Sequence, residues 1–157
     1  MIDLGYLLEA MKDIIPFVPK TLLISFTAMF FAIILGVIMA LLRRQDNKIL
    51  SSLAGLYVSV FRGFPTVVQL FIVYFGLPQI FPAFNSLDAM YAVILTFSFK
   101  ESSYLTETFR AGLDSVDKGQ IEAGLAVAMK RWKFYQEFVF PHTIVNALPG
   151  TTNTFVS

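Results

Sequence analysis

The sequence predicts an all-α, polytopic membrane protein, and three observations favour this fold class. Hydrophobic residues make up 56% of the 157 positions, charged residues only 15%, and the mean hydropathy is +0.68. Residues 21–42 carry no charged side chain and are long enough to cross a bilayer core of about 30 Å. Further apolar runs follow, separated by charged or proline-containing segments. A soluble domain of this length rarely carries so few charges.

Composition also narrows the class of function. The net charge of +1 argues against a nucleic-acid partner. With no Cys, the chain offers neither disulfides nor a thiolate metal site, and the redox compartment stays open. The first 20 residues lack the basic start of a cleaved signal peptide and contain Asp3, Glu9 and Asp13, so we expect them to be retained.

The elements can be predicted in order from apolar periodicity and breaks. Residues 1–15 are typical of an amphipathic interfacial helix, which Pro16 and Pro19 are expected to end with a turn. The first span is expected at 21–42, and an interfacial or bent segment plus the second span at 49–81, broken by the residues FRGFPT. The third span is expected at 87–109, a cytoplasmic coupling helix region at 116–140, and the start of a fourth span at 141–157.

Basic residues predict the orientation in the membrane. Eight of the 12 Lys and Arg residues fall on one side of the predicted spans: Arg43, Arg44, Lys48, Arg110, Lys118, Lys130, Arg131 and Lys133. The opposite side holds Lys12 and Lys20, and the remaining two lie at or within spans. The segment from 116 to 140 is therefore predicted to be cytoplasmic, and the N-terminus external.

The charged segment at 116–140 differs from the rest of the chain. Asp117, with Gln120 three residues later, indicates a helix start of the capping-box type. An apolar stripe is predicted at Ile121, Leu125, Met129 and Trp132, interleaved with small residues around Glu122 and followed by the basic residues Lys130, Arg131 and Lys133. Such a helix is suited to a groove of a soluble partner. The alternative is a helix that rests on anionic lipid headgroups.

The stretch EAGLAVAMKRWKFYQEFVFP resembles the cytoplasmic coupling motif of permease subunits in ATP-binding cassette importers. That motif reads EAA, three residues, Gly, nine residues, Ile, one residue and Leu-Pro. Glu122 and Ala123 match it, and Pro141 stands at its proline. The departures are Gly124, Ala128, Phe138 and Phe140.

Two further stretches are similar to the polar amino-acid permeases of that group. FRGFPTVVQLFIVYFGLP resembles FRGTPLLVQLFFIYFGLP, with departures including Phe64 and Thr66. SYLTETFRAGLDSVDKGQIEAG resembles AYLAEIFRGGIQSVPKGQWEAA. The resemblance extends from about Thr21 to the C-terminus, with the three motifs in the expected order.

The resemblance implies a type I importer permease fold, apparently truncated within the fourth span, in a prokaryotic plasma (inner) membrane. It implies a second permease subunit, identical or related, a cytoplasmic ATPase that carries ATP and Mg, and an external substrate-binding protein; membrane lipid surrounds the spans. The residues expected to contact the ATPase are Gly119, Glu122, Ala123, Gly124, Ala128, Lys130 and Arg131. Substrates of this family include cystine, glutamine, arginine and other polar amino acids.

Ionisable residues within the third span are candidate substrate contacts. Lys100 and Glu101 are expected to face a bundle interior or a wet cavity, because charges at membrane depth are costly. Consecutive helix positions point about 100° apart, so the two are not expected to neutralise each other well. They would complement a zwitterionic amino acid; the alternative is a structural ion network that includes Glu107.

Other functions receive less support from the sequence. A secondary transporter or channel would use Lys100, Glu101 and Glu107 as an ion path, and the Glu122 helix would then be a surface anchor. An intramembrane enzyme lacks a catalytic set, and His142 is expected to have a membrane-interface or packing role, not one in catalysis or metal binding. Arg62 is expected to anchor the interface or cap carbonyls, with a gating contact as the alternative. No phosphate-binding loop or metal-ligand cluster occurs, so no catalytic residue, metal or cofactor is expected on this chain.

Overall fold

The structure is a computed structural model that describes residues 4–117, 119 and 129–156, and every regular element within them is helical. The helices are α1 (Leu4–Ile14), α2 (Val18–Arg43), α3 (Lys48–Gly63), α4 (Thr66–Ile80), α5 (Ala89–Asp114) and α6 (residues 131–156). In the centre lies α5, which packs against α2, α3, α4 and α6.

The predicted turn at Pro16 and Pro19 is wrong, because helical backbone continues from Gly5 to Arg43. A 3-10 turn at Ile15–Phe17 joins α1 to α2, and each proline lies in the first positions of the segment it begins. A missing N–H is tolerated there. At 1.5 Å per residue this helix is about 58 Å long, roughly twice the thickness of a bilayer core.

Between α3 and α4 the chain bends by 107°. The Asn47 carboxamide caps the start of α3 by accepting hydrogen bonds from the N–H groups of Ile49 and Leu50. The bend follows Gly63, within the FRGFPT stretch where the sequence predicted a break. Farther along, α4 contains a π-helical turn at Ile72–Gly76.

Small residues carry the contact between α2 and α5. The buried positions of α2 repeat every four residues and are Ala28, Ala32, Gly36 and Ala40. A Cβ atom placed on Gly36 would lie 2.8 Å from Cβ of Leu105, so the two helices meet almost backbone to backbone. The large side chains of α2 point outward, as Phe26 at 60% and Phe30 at 61% exposure illustrate. The apolar surface is therefore on the outside, as a lipid environment favours.

In contrast, α5 buries polar side chains. Five of its buried hydroxyl groups donate to backbone carbonyls three or four residues earlier, and they belong to Thr96, Ser98, Ser102, Ser103 and Thr106. These bonds satisfy the hydroxyl donors inside the helix itself, so they can be buried without a partner from elsewhere. A helix of this polarity suits the centre of a bundle, where other helices cover it.

By length and apolar composition, one described helix could cross a membrane, Gly5–Arg43. The bent pair Lys48–Gly63 and Thr66–Ile80 provides a second if it forms one broken span. The sequence predicted a further span at residues 87–109, where α5 now lies. Its 26 residues have the length for a span, about 39 Å, and its polarity corresponds to its central position.

The last described part of the chain is α6, which comprises Arg131–Phe134, a π-helical turn at Tyr135–Val139, and Phe140–Val156. The sequence predicted one helix that ends at Pro141. Met129 and Lys130 are instead non-helical, a helix begins at Arg131, and it continues through Pro141. The π turn is completed by a bond from the Phe140 N–H to the Tyr135 carbonyl, and this wider turn directly precedes the proline that lacks an N–H.

Candidate functional site

A network of ion pairs joins the C-terminal ends of α2 and α5. Arg43 Nη2 lies 3.3 Å from Glu107 Oε1, and Arg110 donates to the other Glu107 oxygen at 2.8 and 2.9 Å. Asp114 contacts Arg44 and Arg110, each at 3.0 Å. Arg110 thus contacts both carboxylates, Glu107 and Asp114, through one guanidinium group. Glu107 is therefore a structural crosslink between two helices.

Arg43 also reaches α3. A Cβ atom on Gly55 would overlap the Arg43 guanidinium, so a larger residue there would require this side chain to move. Ser51 donates to the Arg43 carbonyl at 2.9 Å. From the sequence, Arg43 was predicted only as a basic loop residue. Its position directly after a 22-residue uncharged run is the sequence feature that indicates a contact with neighbouring helices.

Lys100 and Glu101 form a direct ion pair near the middle of α5. The Lys100 Nζ atom lies 3.1 Å from Glu101 Oε1, with side-chain exposures of 21% and 12%. The prediction that these adjacent helix positions would not neutralise each other well is wrong, because the four-carbon Lys stem compensates for the difference in direction. Glu107 takes part in the separate network with Arg43 and Arg110. The structure therefore brings together only two of the three residues predicted for a substrate path.

One member of this pair, Glu101, borders open space. A cavity of about 400 Å³ lies between α2, α5 and the C-terminal end of α6, and Glu101 and Phe97 line it. Cavities of this size accommodate small organic ligands. Hydroxyl groups of Thr21 and Ser25 lie in the same lining, which is otherwise mostly apolar. The arrangement provides one buried carboxylate, paired with an ammonium group, at the edge of a small-molecule-sized cavity.

Gln69 holds the bend between α3 and α4. It is 7% exposed, and its Nε2 donates to the carbonyls of Phe61 at 2.9 Å and Phe64 at 2.8 Å. These two bonds cap carbonyl groups that the broken helix leaves without helical partners. Arg62, expected from the sequence to anchor the interface or to cap carbonyls, with a gating contact as the alternative, places its guanidinium over the Tyr104 ring, with Cζ 4.9 Å from the centroid. Gln69 is a single amide in an otherwise apolar run, and this feature of the sequence could have indicated a buried capping role.

We expect Gln69→Leu to destabilise the bend by about 2 kcal/mol, because two buried carbonyls lose their donors. Gln79→Leu is the matched control: Gln79 Nε2 also donates to one carbonyl, that of Phe75, but Gln79 is exposed and water can replace it. Thermal unfolding of the purified full-length subunit in detergent measures the difference. Equal melting temperatures for the two variants would contradict the capping role of Gln69.

Of the residues expected to contact an ATPase, most lie outside the described part of the chain: Glu122, Ala123, Gly124 and Ala128. Gly119 is described, and its N–H donates to the Asp117 carboxylate at 2.6 Å, as expected for a helix start capped by Asp117. Gln120, the other residue of the predicted capping box, is not among the described residues. Lys130 is exposed, and Arg131 begins α6.

Apolar contacts connect the two described flanks of this segment. Leu113 and Val116 at the end of α5 form a buried cluster with Phe134 and Val139 of α6, and Met129 packs against it. The Phe134 and Phe138 rings stack with centroids 5.5 Å apart. Trp132, predicted as part of the apolar stripe, is 67% exposed. A buried apolar cluster thus connects the end of α5 to the start of α6.

Within residues 4–117, 119 and 129–156, no group of three or more His, Cys, Asp or Glu side chains is placed to hold a metal ion. His142 lies exposed in the first turns of Phe140–Val156. The chemistry offered by the described residues is that of ion pairs, hydroxyl groups and aromatic rings, which suits binding and helix movement.

Comparison with known proteins gives the family. Residues 32–157 match the family model described as binding-protein-dependent transport system inner membrane component. The chain is 45% identical to the probable amino-acid permease protein YxeN of Bacillus subtilis (strain 168), covering 99% of this chain and 69% of that protein. It is 34% identical to the probable amino-acid ABC transporter permease protein PatM of Vibrio harveyi, with 98% and 69% covered.

A solved structure shows the same fold. A crystal structure of an amino acid ABC transporter with histidines aligns with a TM-score of 0.85 and 29% identity, over 99% of this chain and 72% of that one. The all-helical permease fold predicted from the sequence is confirmed, and so is the resemblance on which it was based. The chain belongs to the inner-membrane permease components of binding-protein-dependent ATP-binding cassette importers.

Proposed function

We propose that this chain is the membrane subunit of an ATP-driven importer of amino acids, in which it forms part of the translocation path. The observation that carries the proposal is the buried, polar α5, which connects the Lys100–Glu101 pair to the segment between α5 and α6. Relatives named as amino-acid permeases support amino acids as the substrate class. An ATPase, a second permease subunit and an external binding protein would complete the importer, with the N-terminus outside.

In this proposal the helix around Glu122 docks into the ATPase. The segment lies between two flanks that share the cluster of Leu113, Val116, Phe134 and Val139, so its displacement would move the ends of α5 and α6 as one unit. The Glu107 network would carry the same displacement to α2 through Arg43. Closure of the ATPase around ATP would thereby alter the helices that border the charged pair, whose role would be to contact the substrate.

We expect Glu122→Lys, made in the full-length subunit, to lower both ATPase co-purification and ATP-driven amino-acid uptake by about tenfold or more, because a reversed charge in a docking groove is strongly unfavourable. Asp46→Lys is the control, since Asp46 is an exposed loop residue on the same predicted side. Co-purification and uptake into proteoliposomes are measured for both. Unchanged values for Glu122→Lys would contradict the docking role of this helix.

The same preparation tests the function as a whole. An importer subunit is expected to retain its ATPase on purification and to stop transport when ATP is removed. Transport that continues without ATP in the presence of an ion gradient would identify an ion-coupled transporter and overturn the proposal. The separation of Glu107 from Lys100 and Glu101 speaks against that ion path.

A further inference from the structure

Two cationic side chains from different helices lie near one aromatic ring, that of Tyr104. Arg62, in the last turn of α3, places Cζ 4.9 Å from the centroid of the Tyr104 ring. Lys100, one turn before Tyr104 on α5, places Nζ 5.9 Å from the same centroid and 5.8 Å from that of Phe97. Cations are attracted to aromatic faces, most strongly where water is excluded.

The charges of this cluster do not balance. Glu101 is its one carboxylate, and its contact at 3.1 Å is with Lys100. Within the described part of the chain Arg62 forms no ion pair, and the acidic residue nearest along α5, Glu107, belongs to the network with Arg43 and Arg110. The cluster therefore has two positive charges and one negative. Arg62 is exposed at the end of α3, and a surplus positive charge without a carboxylate partner attracts an anionic group.

We propose that Arg62 and Lys100, held against Tyr104, form a subsite for the α-carboxylate of the amino-acid substrate. This inference rests on the proposed function and specifies which part of the substrate the chain recognises. A guanidinium group binds a carboxylate through two parallel hydrogen bonds, and the Lys100 ammonium adds a second charge. Glu101 lies on the other side of the pair, at the edge of the 400 Å³ cavity, where it complements the substrate ammonium.

Tyr104 is the positioning residue of this subsite, because its ring is the common contact of both cations. Neighbouring contacts fix this part of α5: the Tyr57 hydroxyl of α3 lies within hydrogen-bond distance of the Ser102 hydroxyl and of the Phe99 carbonyl. Phe61, the residue before Arg62, stacks on Phe99 with ring centroids 5.5 Å apart. The end of α3 is thus anchored to α5 at the level of the cations.

The test compares each amino acid with its α-amide, which retains the ammonium group and side chain but lacks the carboxylate. The complete transporter, purified with its ATPase into nanodiscs, is first screened with radiolabelled L-glutamine, L-cystine, L-arginine and L-histidine. The tightest ligand is then displaced with unlabelled acid and with its α-amide. We expect the unaltered transporter to prefer the acid by about tenfold or more, as a charge-assisted bidentate contact implies.

Arg62→Gln and Lys100→Gln are each expected to remove most of this preference, because they lower the affinity for the acid and leave the affinity for the amide unchanged. Arg62→Lys is expected to restore part of the preference. Lys12→Gln, an exposed residue of α1, is the control and should keep the full preference. If a variant loses affinity for the acid and for the amide by the same factor, the cation has a purely structural role and the inference is overturned. The inference is also overturned if the preference for the acid is unchanged, which is the result expected if the cations bind a lipid phosphate.

Failure of the inference and failure of the proposed function are distinguishable. If the unaltered transporter prefers the acid and both glutamine variants retain that preference, only the subsite is wrong. If it binds none of the four amino acids, the proposed function fails and the subsite with it. Thermal unfolding of each variant in the same nanodiscs shows whether it is folded. If Arg62→Gln does not fold, the result for Lys100→Gln decides whether the subsite exists.

Discussion

Glu107→Gln is expected to lower the stability of the full-length subunit by about 2 kcal/mol, since it leaves two guanidinium groups without their shared carboxylate. Removing one partner of a fully buried pair typically destabilises by about 3–5 kcal/mol, whereas exposed pairs contribute about 0.2–1 kcal/mol. The Glu107 side chain is 22% exposed, and those of Arg43 and Arg110 are 31% and 37% exposed, so an intermediate value applies. A fall in Tm of about 5 °C in detergent would correspond to this loss.

Glu137→Gln is the matched control, as it removes the same charge from an i,i+4 pair. Its partner Lys133 lies 3.7 Å away, and the two side chains are 49% and 65% exposed, so a change below about 0.5 kcal/mol is expected. Arg43→Gln combined with Glu107→Gln should destabilise less than the sum of the single changes. Additive losses, or equal Tm shifts for Glu107→Gln and Glu137→Gln, would show that the network does not hold α2 against α5.

Much of the fold can be predicted because the lipid-facing residues determine it. The uncharged run at 21–42 predicts a membrane helix, and α2 extends it only to Val18–Arg43. The FRGFPT stretch combines a helix-breaking proline with a glycine, and the chain bends there by 107°. These features depend on local composition, which the sequence displays directly.

Neither of the two π-helical turns described above was predicted from the sequence, although both precede a proline. The turn at Ile72–Gly76 ends two residues before Pro78, and that at Tyr135–Val139 ends two residues before Pro141. A proline predicts the end of a helix when only its missing N–H is considered. The wider turn before each proline lets the helix continue, because its hydrogen bonds shift to a spacing of five residues. Residue propensities do not predict this shift.

The charged sites could be predicted as residues but not as pairs. Lys100, Glu101 and Glu107 were recognisable because charges in an apolar run are exceptional. Their partners depend on which helices meet α5: Glu107 meets Arg43 from 64 residues earlier in the sequence, and Arg62 reaches Tyr104 from α3. Contacts between distant segments follow from helix packing, which requires the structure.

Gly36→Val is expected to destabilise the subunit by about 3 kcal/mol, because a side chain at residue 36 has no room between α2 and α5. Even a single Cβ would lie 2.8 Å from Cβ of Leu105 and 3.4 Å from the Ser102 carbonyl oxygen. Leu105 is fully buried, so the helices would have to separate. Overpacking of this kind typically costs about 1–3 kcal/mol, with rigid backbone contacts at the upper end. Thermal unfolding in detergent provides the measurement.

Gly63→Val is the control, because it makes the same change of residue where a Cβ atom meets nothing within 4 Å. Its Tm is expected to remain within about 2 °C of the unaltered protein. If the close approach is the cause, Leu105→Gly, which removes the Cβ atom that residue 36 would meet, should recover part of the Gly36→Val loss, although alone it creates a cavity. A Gly36→Val protein as stable as Gly63→Val would mean that α2 and α5 do not pack through their small residues.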